Sequence, residues 1–234
     1  MMDAVQCWCV RLDVAPERYY AMLSDDERNR SARFRFEKGR RRFVVARGAL
    51  RELLGRYLSA DPGDVRFVYN AFGKPELHPS FGDRLKFNLA HAGDLALIAI
   101  ARDADVGVDV ECIEGRGESS YADVAQNFFS ATEVDALRRV PRDLYDQAFF
   151  SCWTMKEAYV KGCGAGLTIP LTSFAVPIST DLAPAAVRCG RWSLFALRPA
   201  PGYVGAVAVS AALRMTIFRG RHICRGPHSE EWAQ

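Results

Sequence analysis

The segment FFSCWTMKEAYVKGCGAGL, residues 149–167, predicts a helix that carries charges on a bulky apolar body. Its charged members are Lys156, Glu157 and Lys161, where a helix that only filled a core would stay apolar. Glycines end the helix, which we expect to run from about residue 144 to 162. We therefore expect the charges to face a cleft while the aromatic side chains anchor the helix.

Trp153, Glu157 and Lys161 are spaced by four residues and so lie on one stripe of this helix. A glutamate four residues before a lysine is also a favourable ion pair, which is a purely structural explanation for two of the charges. It does not explain why the pair shares its stripe with a tryptophan. A carboxylate for a metal site, beside a lysine for phosphate charge, would explain all three.

The segment VGVDVE, residues 106–111, alternates with the period of a strand. Its valines fall on one face, and Gly107, Asp109 and Glu111 on the other. Neighbouring carboxylates repel each other unless a cation joins them, and hard oxygen ligands suit Mg²⁺. The pattern therefore indicates a magnesium site, with a solvent-facing acidic strand edge as the alternative.

Helices and short strands are mixed along the whole chain of 234 residues, of which 49% are hydrophobic. This order predicts an α+β fold of two α/β subdomains. We expect the divisions 1–105, 106–218 and a poorly ordered tail at 219–234. Strands are expected at 8–14, 86–90, 95–101, 106–111, 174–176, 192–197, 203–211 and 215–218, and helices at 24–34, 40–58, 121–139 and 144–162.

Ser130 and Glu133 form the pattern of a helix capping box, so we expect Glu133 to be structural rather than catalytic.

Seven scattered cysteines suit reduced thiols in the cytoplasm better than a disulfide framework. Cys7 and Cys9 could hold a metal only with partners that the sequence does not supply at zinc-like spacing. The N-terminal residues lack the pattern of a signal peptide, and no apolar run is long enough to span a bilayer.

Ten basic residues are concentrated between positions 28 and 51. Such a block attracts phosphates or an acidic protein surface, although it is also compatible with a solvated helix face. The aromatic residues that interleave with charges in single-strand nucleic-acid platforms are not part of the pattern.

Six short motifs, taken together and in this order, are specific. They are RRFVVARGALR (41–51), FGKPEL (72–77), FNLAHAGDLALIAI (87–100), GVDVE (107–111), FFSATE (128–133) and WTMKEAYVK (153–161). Over about residues 24–175 the chain resembles the 4′-phosphopantetheinyl transferase superfamily, in its monomeric surfactin-synthetase-activating (Sfp) type.

The resemblance implies a pseudo-twofold pair of similar α/β subdomains with coenzyme A bound, and the active site placed, at their interface. It implies transfer of 4′-phosphopantetheine from coenzyme A to a serine of an acyl or peptidyl carrier protein, with Mg²⁺ as cofactor. Adenosine 3′,5′-bisphosphate would be the second product. A cytoplasmic monomer is expected, with no nucleic-acid or membrane partner.

The positions that match the family's motifs imply Asp109, Glu111 and Glu157 as magnesium ligands. Glu157 would also be the base for the carrier serine, directly or through water. Lys161 would contact the pyrophosphate, and Asp109 would lie beside it.

The same resemblance implies that Arg42, Lys74 and His91 hold coenzyme A, with Gly73 and Pro75 shaping the turn that presents Lys74. The family often has serine where this chain has Ala90, so one hydroxyl contact to the nucleotide would be lost. Arg28 and Arg30 do not match the family's lysines one for one, and no individual role is implied for them.

Two other classes of protein remain open from the residues alone. A metal-dependent nuclease also combines acidic residues, a lysine and a basic patch, although its lysine usually lies on a strand beside the acids. A non-catalytic adaptor would use only the basic block and would tolerate Glu157→Gln.

Overall fold

The computed structural model describes residues 4–113, 121–179 and 186–219. The first half of the chain forms strand β1 (Ala4–Arg11), helices α1 (Glu17–Tyr20), α2 (Asp25–Ala32) and α3 (Glu37–Leu58), and strands β2 (Phe67–Tyr69), β3 (Pro75–Leu77), β4 (Leu85–Ala92) and β5 (Leu95–Arg102). The second half forms β6 (Val106–Cys112), helices α4 (Tyr121–Phe128), α5 (Ala131–Leu137) and α6 (Tyr145–Cys163), and strands β7 (Val187–Cys189), β8 (Trp192–Leu197), β9 (Tyr203–Val209) and β10 (Arg214–Arg219).

The first large sheet has the strand order β10–β1–β5–β4. Strands β4 and β5 form the predicted hairpin, and β1 pairs antiparallel with β5. Successive side chains of β5 point to opposite faces, so Ile98 packs with α3 whereas Leu97 enters the core between the two large sheets.

The second large sheet is antiparallel, with the order β6–β9–β8–β7. One of its faces packs against the first sheet, and the other is covered by α4, α5 and α6. Each half thus lays a long helix on the outer face of a sheet, and the inner faces meet. The α+β fold of two similar α/β subdomains, predicted from the sequence, is confirmed.

The strand expected at residues 174–176 is wrong. Its backbone groups are bonded to side chains instead: Glu133 Oε1 accepts from the Val176 N–H at 2.7 Å, and Lys156 Nζ donates to the Phe174 carbonyl at 2.6 Å. The helical region expected at 121–139 is two helices, because Ser130 caps the start of α5. The capping box with Glu133 is confirmed.

Strand β10 does not join the second sheet but pairs in parallel with β1, with Ile217 opposite Cys7. The chain therefore returns to the first sheet after it has built the second. The domain division expected between residues 105 and 106 stays a prediction. The tail expected at 219–234 lies outside the described residues, apart from Arg219 at the end of β10.

Among the described residues, no helix combines the length and apolar character needed to cross a bilayer.

The basic block of residues 28–51 is not one exposed face. Arg51 is only 2% exposed, and its guanidinium donates to Glu27 Oε2 at 2.6 Å and to the carbonyls of residues 62, 63 and 65. Arg47 pairs with the other oxygen of Glu27, so this network joins α2 to α3. The exposed basic members of the block are Arg30, Arg33, Arg35, Lys38 and Arg40.

We expect Glu27→Gln to lower the free energy of unfolding by about 2 kcal/mol at neutral pH. Burial by itself would raise the pKa of Glu27, but the guanidinium groups of Arg47 and Arg51 more than offset it, and the pKa is lowered. A carboxylate whose pKa is lowered by folding contributes stability above its unfolded-state pKa and loses that contribution as the pH falls.

Urea unfolding measures the free energy of unfolding of both proteins. The difference in this free energy between wild type and Glu27→Gln should be constant near neutral pH and should shrink below about pH 4.3. Glu37→Gln is the matched control, because Glu37 is 70% exposed, and its unfolding should be nearly that of the wild type. A Glu27→Gln difference that does not change with pH would contradict the charge-pair explanation.

Candidate active site

Strand β6 carries the first component of the site. The predicted alternation is observed, since Val106, Val108 and Val110 enter the core between the sheets. Asp109 and Glu111 therefore point to the opposite face, which α6 covers.

Gly107 lets α6 lie directly on this face of β6. A Cβ atom at Gly107 would lie 2.0 Å from the Ala158 carbonyl oxygen and 2.3 Å from the Gly162 nitrogen, both in the backbone of α6. Only a residue without a side chain permits this approach. The close packing brings the carboxylate of Asp109 within reach of side chains on the helix.

We expect Gly107→Ala to lower the free energy of unfolding by about 1–3 kcal/mol, because the new methyl group must push α6 away from β6. The displacement should also reduce any activity that depends on this site, since it separates Asp109 from α6. Thermal unfolding and turnover of the same preparation measure the two effects. In the control Gly63→Ala the new methyl group would meet only the carboxylate of Asp61, at 3.1 Å. Equal effects of the two variants would refute this role of Gly107.

Lys161 on α6 contacts Asp109 rather than Glu157. Lys161 Nζ lies 2.5 Å from Asp109 Oδ1, and the structure describes no hydrogen bond or ion pair between Lys161 and Glu157. Asp109 is 5% exposed, and its Oδ2 has no hydrogen-bond partner among the described residues. Burial raises the pKa of Asp109, and the ammonium of Lys161 opposes that rise only in part.

Glu157 lies one helical turn before Lys161 and is half-buried in the wall of a cleft. Burial raises the pKa of Glu157, and the positive charge of Lys161 opposes the rise. The negative charges of Asp109 and Glu111 add to it. The carboxylates of Asp109, Glu111 and Glu157 therefore lie near one another and near Lys161, and we refer to these four residues as the acidic corner.

Lys156 is not part of the acidic corner, and the expectation that its charge faces the cleft is wrong. Its side chain is fully buried, and Nζ donates to Glu133 Oε2 at 2.8 Å and to the carbonyls of Leu171 and Phe174 at 2.7 and 2.6 Å. Adjacent helix positions point in directions about 100° apart, so Lys156 and Glu157 serve different faces of α6.

Two cavities lie side by side at the interface between the two subdomains. The first, of about 270 Å³, is lined by Phe72, Lys74, Pro75, Asn88, Leu89, Glu157, Val160, Lys161, Gly164 and Gly166. The second, of about 230 Å³, is lined by Asp26, Glu27, Arg30, Phe43, Ala46, Arg47, Tyr69, Gly73, Pro75, Leu89 and His91. Pro75 and Leu89 line both cavities, so the two cavities are neighbours, and we refer to the pair as the groove.

A larger cavity of about 340 Å³ also borders Lys74 and Pro75, but its lining includes neither Glu157 nor Lys161. Glu157 and Lys161 therefore belong to the groove and not to this cavity.

The hairpin of β2 and β3 contacts the second subdomain across this interface. Lys74 Nζ donates to the carbonyls of Val106 and Gly162 at 3.2 and 3.0 Å, and Asn70 Nδ2 donates to the Gly164 carbonyl at 3.0 Å. Burial lowers the pKa of Lys74. The ammonium thus contacts protein carbonyls here, and its expected contact with coenzyme A stays a prediction.

The turn before Lys74 requires glycine at position 73, where φ is +80°.

At the other end of the groove, the pKa of His91 is lowered because its ring is partly withdrawn from water and because Arg42 and Lys161 are positively charged. Arg42 Nε donates to Asp94 Oδ1 at 2.8 Å. Ala90 is buried in the apolar core between the sheets and lines neither cavity of the groove. His91 therefore lines the groove, whereas Ala90 does not.

Phe72 and Asn88 are among the groove residues that were not assigned from the sequence. Phe72 is 56% exposed at the tip of the β2–β3 hairpin, and Asn88 is buried in β4. Signals for both were present: a bulky aromatic residue before Gly-Lys-Pro, and a single amide within the apolar run of β4. Neither signal is specific without the groove.

The carboxylates fit an oxygen-liganded cation by their chemistry. Asp109 Oδ2 is a buried oxygen with no partner in the described part of the chain, and a bound cation would relieve the mutual repulsion of three carboxylates. Among the described residues, no three His, Cys, Asp or Glu side chains are already clustered as a ready-made ligand set. Glu111, Glu157 and Asp109 are the residues that would hold such an ion.

Comparison with known proteins gives concordant results for both halves of the chain. A family model described as 4′-phosphopantetheinyl transferase superfamily matches residues 105–211, and one described as 4′-phosphopantetheinyl transferase, N-terminal, matches residues 16–103. The chain is 39% identical over 220 residues to the 4′-phosphopantetheinyl transferase HetI of Nostoc sp., which covers 90% of this chain and 89% of that protein. It is 30% identical over 165 residues to the 4′-phosphopantetheinyl transferase Sfp of Bacillus subtilis, which covers 70% of each chain.

The similarity to HetI extends over nearly the whole of both proteins. The superfamily model matches the region that includes the strand and helix carrying Asp109, Glu157 and Lys161. The chain therefore belongs to the 4′-phosphopantetheinyl transferase superfamily and is an enzyme of the Sfp type.

Proposed function

We propose that this enzyme transfers the 4′-phosphopantetheine arm of coenzyme A to a serine of an acyl or peptidyl carrier protein and releases adenosine 3′,5′-bisphosphate. The observation that carries the proposal is the contact of Lys161 with the buried Asp109 beside Glu157 at the groove. Phosphoryl transfer asks a protein mainly to position the reactants and to neutralise charge. This corner offers an ammonium and a carboxylate base side by side.

Coenzyme A is proposed to lie along the groove, with its pyrophosphate near Lys161 and its nucleotide toward His91. The adjacency of the two cavities, which share Pro75 and Leu89 in their walls, supports this placement. Arg42 and Lys74 are the further phosphate contacts proposed. Both side chains are engaged within the protein, so nucleotide binding would exchange those contacts for contacts with phosphate.

In the proposed reaction, the serine Oγ forms a bond to the phosphorus that carries the pantetheine arm. The bond from that phosphorus to the bridging oxygen breaks, and its electron pair leaves with adenosine 3′,5′-bisphosphate. The carboxylate of Glu157 accepts the serine proton, directly or through water, because a serine hydroxyl is a poor nucleophile unaided. Lys161 donates to the pyrophosphate oxygens, where negative charge develops.

Asp109, Glu111 and Glu157 are proposed to hold Mg²⁺. When bound, the ion supplies positive charge to the pyrophosphate and to the leaving oxygen. Asp109 Oδ2 has no hydrogen-bond partner among the described residues, which supports this assignment. Burial raises the pKa of Asp109 and of Glu157, and a bound cation would favour the charged form of both carboxylates.

The proposed partner is a carrier protein with an acidic surface. The exposed basic side chains that follow α2 support this, because opposite charges steer association. We also propose a cytoplasmic monomer that acts on neither nucleic acid nor membrane. The free thiols of the cysteines in the described part of the chain agree with a reducing compartment.

Intact-mass spectrometry of several apo carrier proteins, incubated with coenzyme A and Mg²⁺, tests the proposal. We expect a phosphopantetheine-sized mass increase on at least one carrier, and its loss when the target serine is changed to alanine. Omission of Mg²⁺ in the presence of a chelator should abolish the increase. No increase on any carrier, or cleavage of DNA by the same preparation, would favour the metal-dependent nuclease instead.

A further inference from the structure

Asn88 is a polar side chain of the groove to which the reaction above assigns no part. It lies in the middle of β4, is 6% exposed, and lines the same cavity as Glu157 and Lys161. A buried amide in an apolar strand costs stability unless hydrogen bonds compensate. Asn88 therefore needs a physical explanation.

The orientation of the Asn88 amide is set by one hydrogen bond. The main-chain N–H of Val108 donates to Asn88 Oδ1 at 2.9 Å. A main-chain N–H can only donate, so the amide oxygen must face Val108 and the NH₂ group must point away from it.

The NH₂ group is available to a ligand. No described residue accepts a hydrogen bond from Asn88 Nδ2, and this nitrogen is not among the unpaired polar atoms sealed from solvent in the described chain. Val108 directly precedes Asp109, and Asn88 lines the same cavity as Lys161, so the bond to Val108 fixes the amide in the wall of the cavity that the Asp109–Lys161 pair borders.

We propose that Asn88 is a further catalytic residue, whose Nδ2 donates a hydrogen bond to a non-bridging oxygen of the phosphoryl group in transfer. The inference rests on the proposed function. As the serine Oγ–P bond forms and the P–O bond to the leaving nucleotide breaks, Asn88 keeps its protons and the serine proton passes to Glu157. A donor held in place before the reaction needs no reorganisation during it.

The alternative is that Asn88 only brackets β4 to β6 through its oxygen. Asn88→Asp separates the two roles, because aspartate keeps an acceptor for the Val108 N–H but lacks the NH₂ donors. Asn88→Ala removes both groups without adding charge. We expect kcat to fall by about 10²-fold in both variants, with the KM for coenzyme A changed by less than about threefold.

Four results would overturn the inference. They are a wild-type kcat in Asn88→Asp, a wild-type kcat in Asn88→Ala despite a slow Asn88→Asp, a loss confined to KM, and a loss of kcat that merely parallels a loss of folded protein. If Asn88→Asp does not fold, the kcat of Asn88→Ala, measured per folded molecule, decides. A wild-type enzyme that modifies no carrier would refute the proposed function, whereas an active wild type with equally active variants would refute only the role of Asn88.

Discussion

Glu157→Gln is expected to lower kcat for carrier modification by about 10²–10⁴-fold and to leave the fold intact. Glutamine has nearly the same shape but cannot accept the serine proton or offer a carboxylate to a cation. Glu157 makes no ion pair with the described residues that its loss would break, so its removal should not destabilise the protein. Burial and the charges of Asp109 and Glu111 raise the pKa of Glu157, so a neutral side chain there should even relieve repulsion.

The measurement is single-turnover transfer at saturating coenzyme A, together with thermal unfolding of the same preparation. Glu76→Gln makes the same change of charge on the exposed side of the β2–β3 hairpin, and its turnover should equal that of the wild type. Wild-type turnover in Glu157→Gln would remove Glu157 from the mechanism and would favour the adaptor class of protein. A large drop in melting temperature would show that Glu157 has a structural role instead.

Lys156→Met is expected to lower the free energy of unfolding by about 3–5 kcal/mol, because it leaves the buried carboxylate of Glu133 without its cation. Lys156 and Glu133 are 0% and 2% exposed, and Lys156 also donates to two carbonyls of the segment that follows α6. Removal of the lysine thus takes a donor from two main-chain carbonyls and the opposite charge from a buried carboxylate.

Lys161→Met is the matched control, since the same substitution falls on the same helix five residues later. Lys161 is 35% exposed, and burial already raises the pKa of its partner Asp109, which can take up a proton when the ammonium is lost. We expect this variant to lose only about 1–2 kcal/mol of stability but most of its turnover. In urea unfolding, Lys156→Met should therefore be the less stable of the two variants. In the transfer assay, Lys161→Met should be the slower one.

The double variant Lys156→Met/Glu133→Leu provides a further check. Replacement of both members of a buried pair by apolar residues costs less than removal of one. Its stability should therefore exceed that of Lys156→Met, although Glu133 also accepts from the Ser130 and Val176 N–H groups and recovery should be partial. No recovery at all would mean that the charge pair is not the source of the loss.

Much of the site follows from periodicity in the sequence. The alternation of VGVDVE places Asp109 opposite the core valines, and the four-residue spacing places Glu157 and Lys161 on one stripe of α6. Both patterns are set by local backbone geometry, two residues per strand repeat and 3.6 per helical turn, and do not depend on the rest of the fold. The six ordered motifs indicated the family, which the comparisons confirmed.

Contacts between residues that are far apart in the sequence could not be predicted from these local patterns. The sequence suggested a Glu157–Lys161 pair as the structural alternative, whereas Lys161 contacts Asp109, which is 52 residues away. The sequence also grouped Arg51 with the exposed basic residues, whereas the packing of α2 on α3 buries it against Glu27.

The amino-acid sequence by itself therefore determined the long helices, most of the strands, the family and the faces on which Asp109, Glu157 and Lys161 lie, because these depend on neighbours a few residues apart. The tertiary structure alone decided that Lys156 is buried and Lys161 is not, that β10 returns to the first sheet, and that the Asn88 amide points into the groove. Those outcomes depend on which layers pack together, and the partners in such contacts are separated by tens to hundreds of residues along the chain.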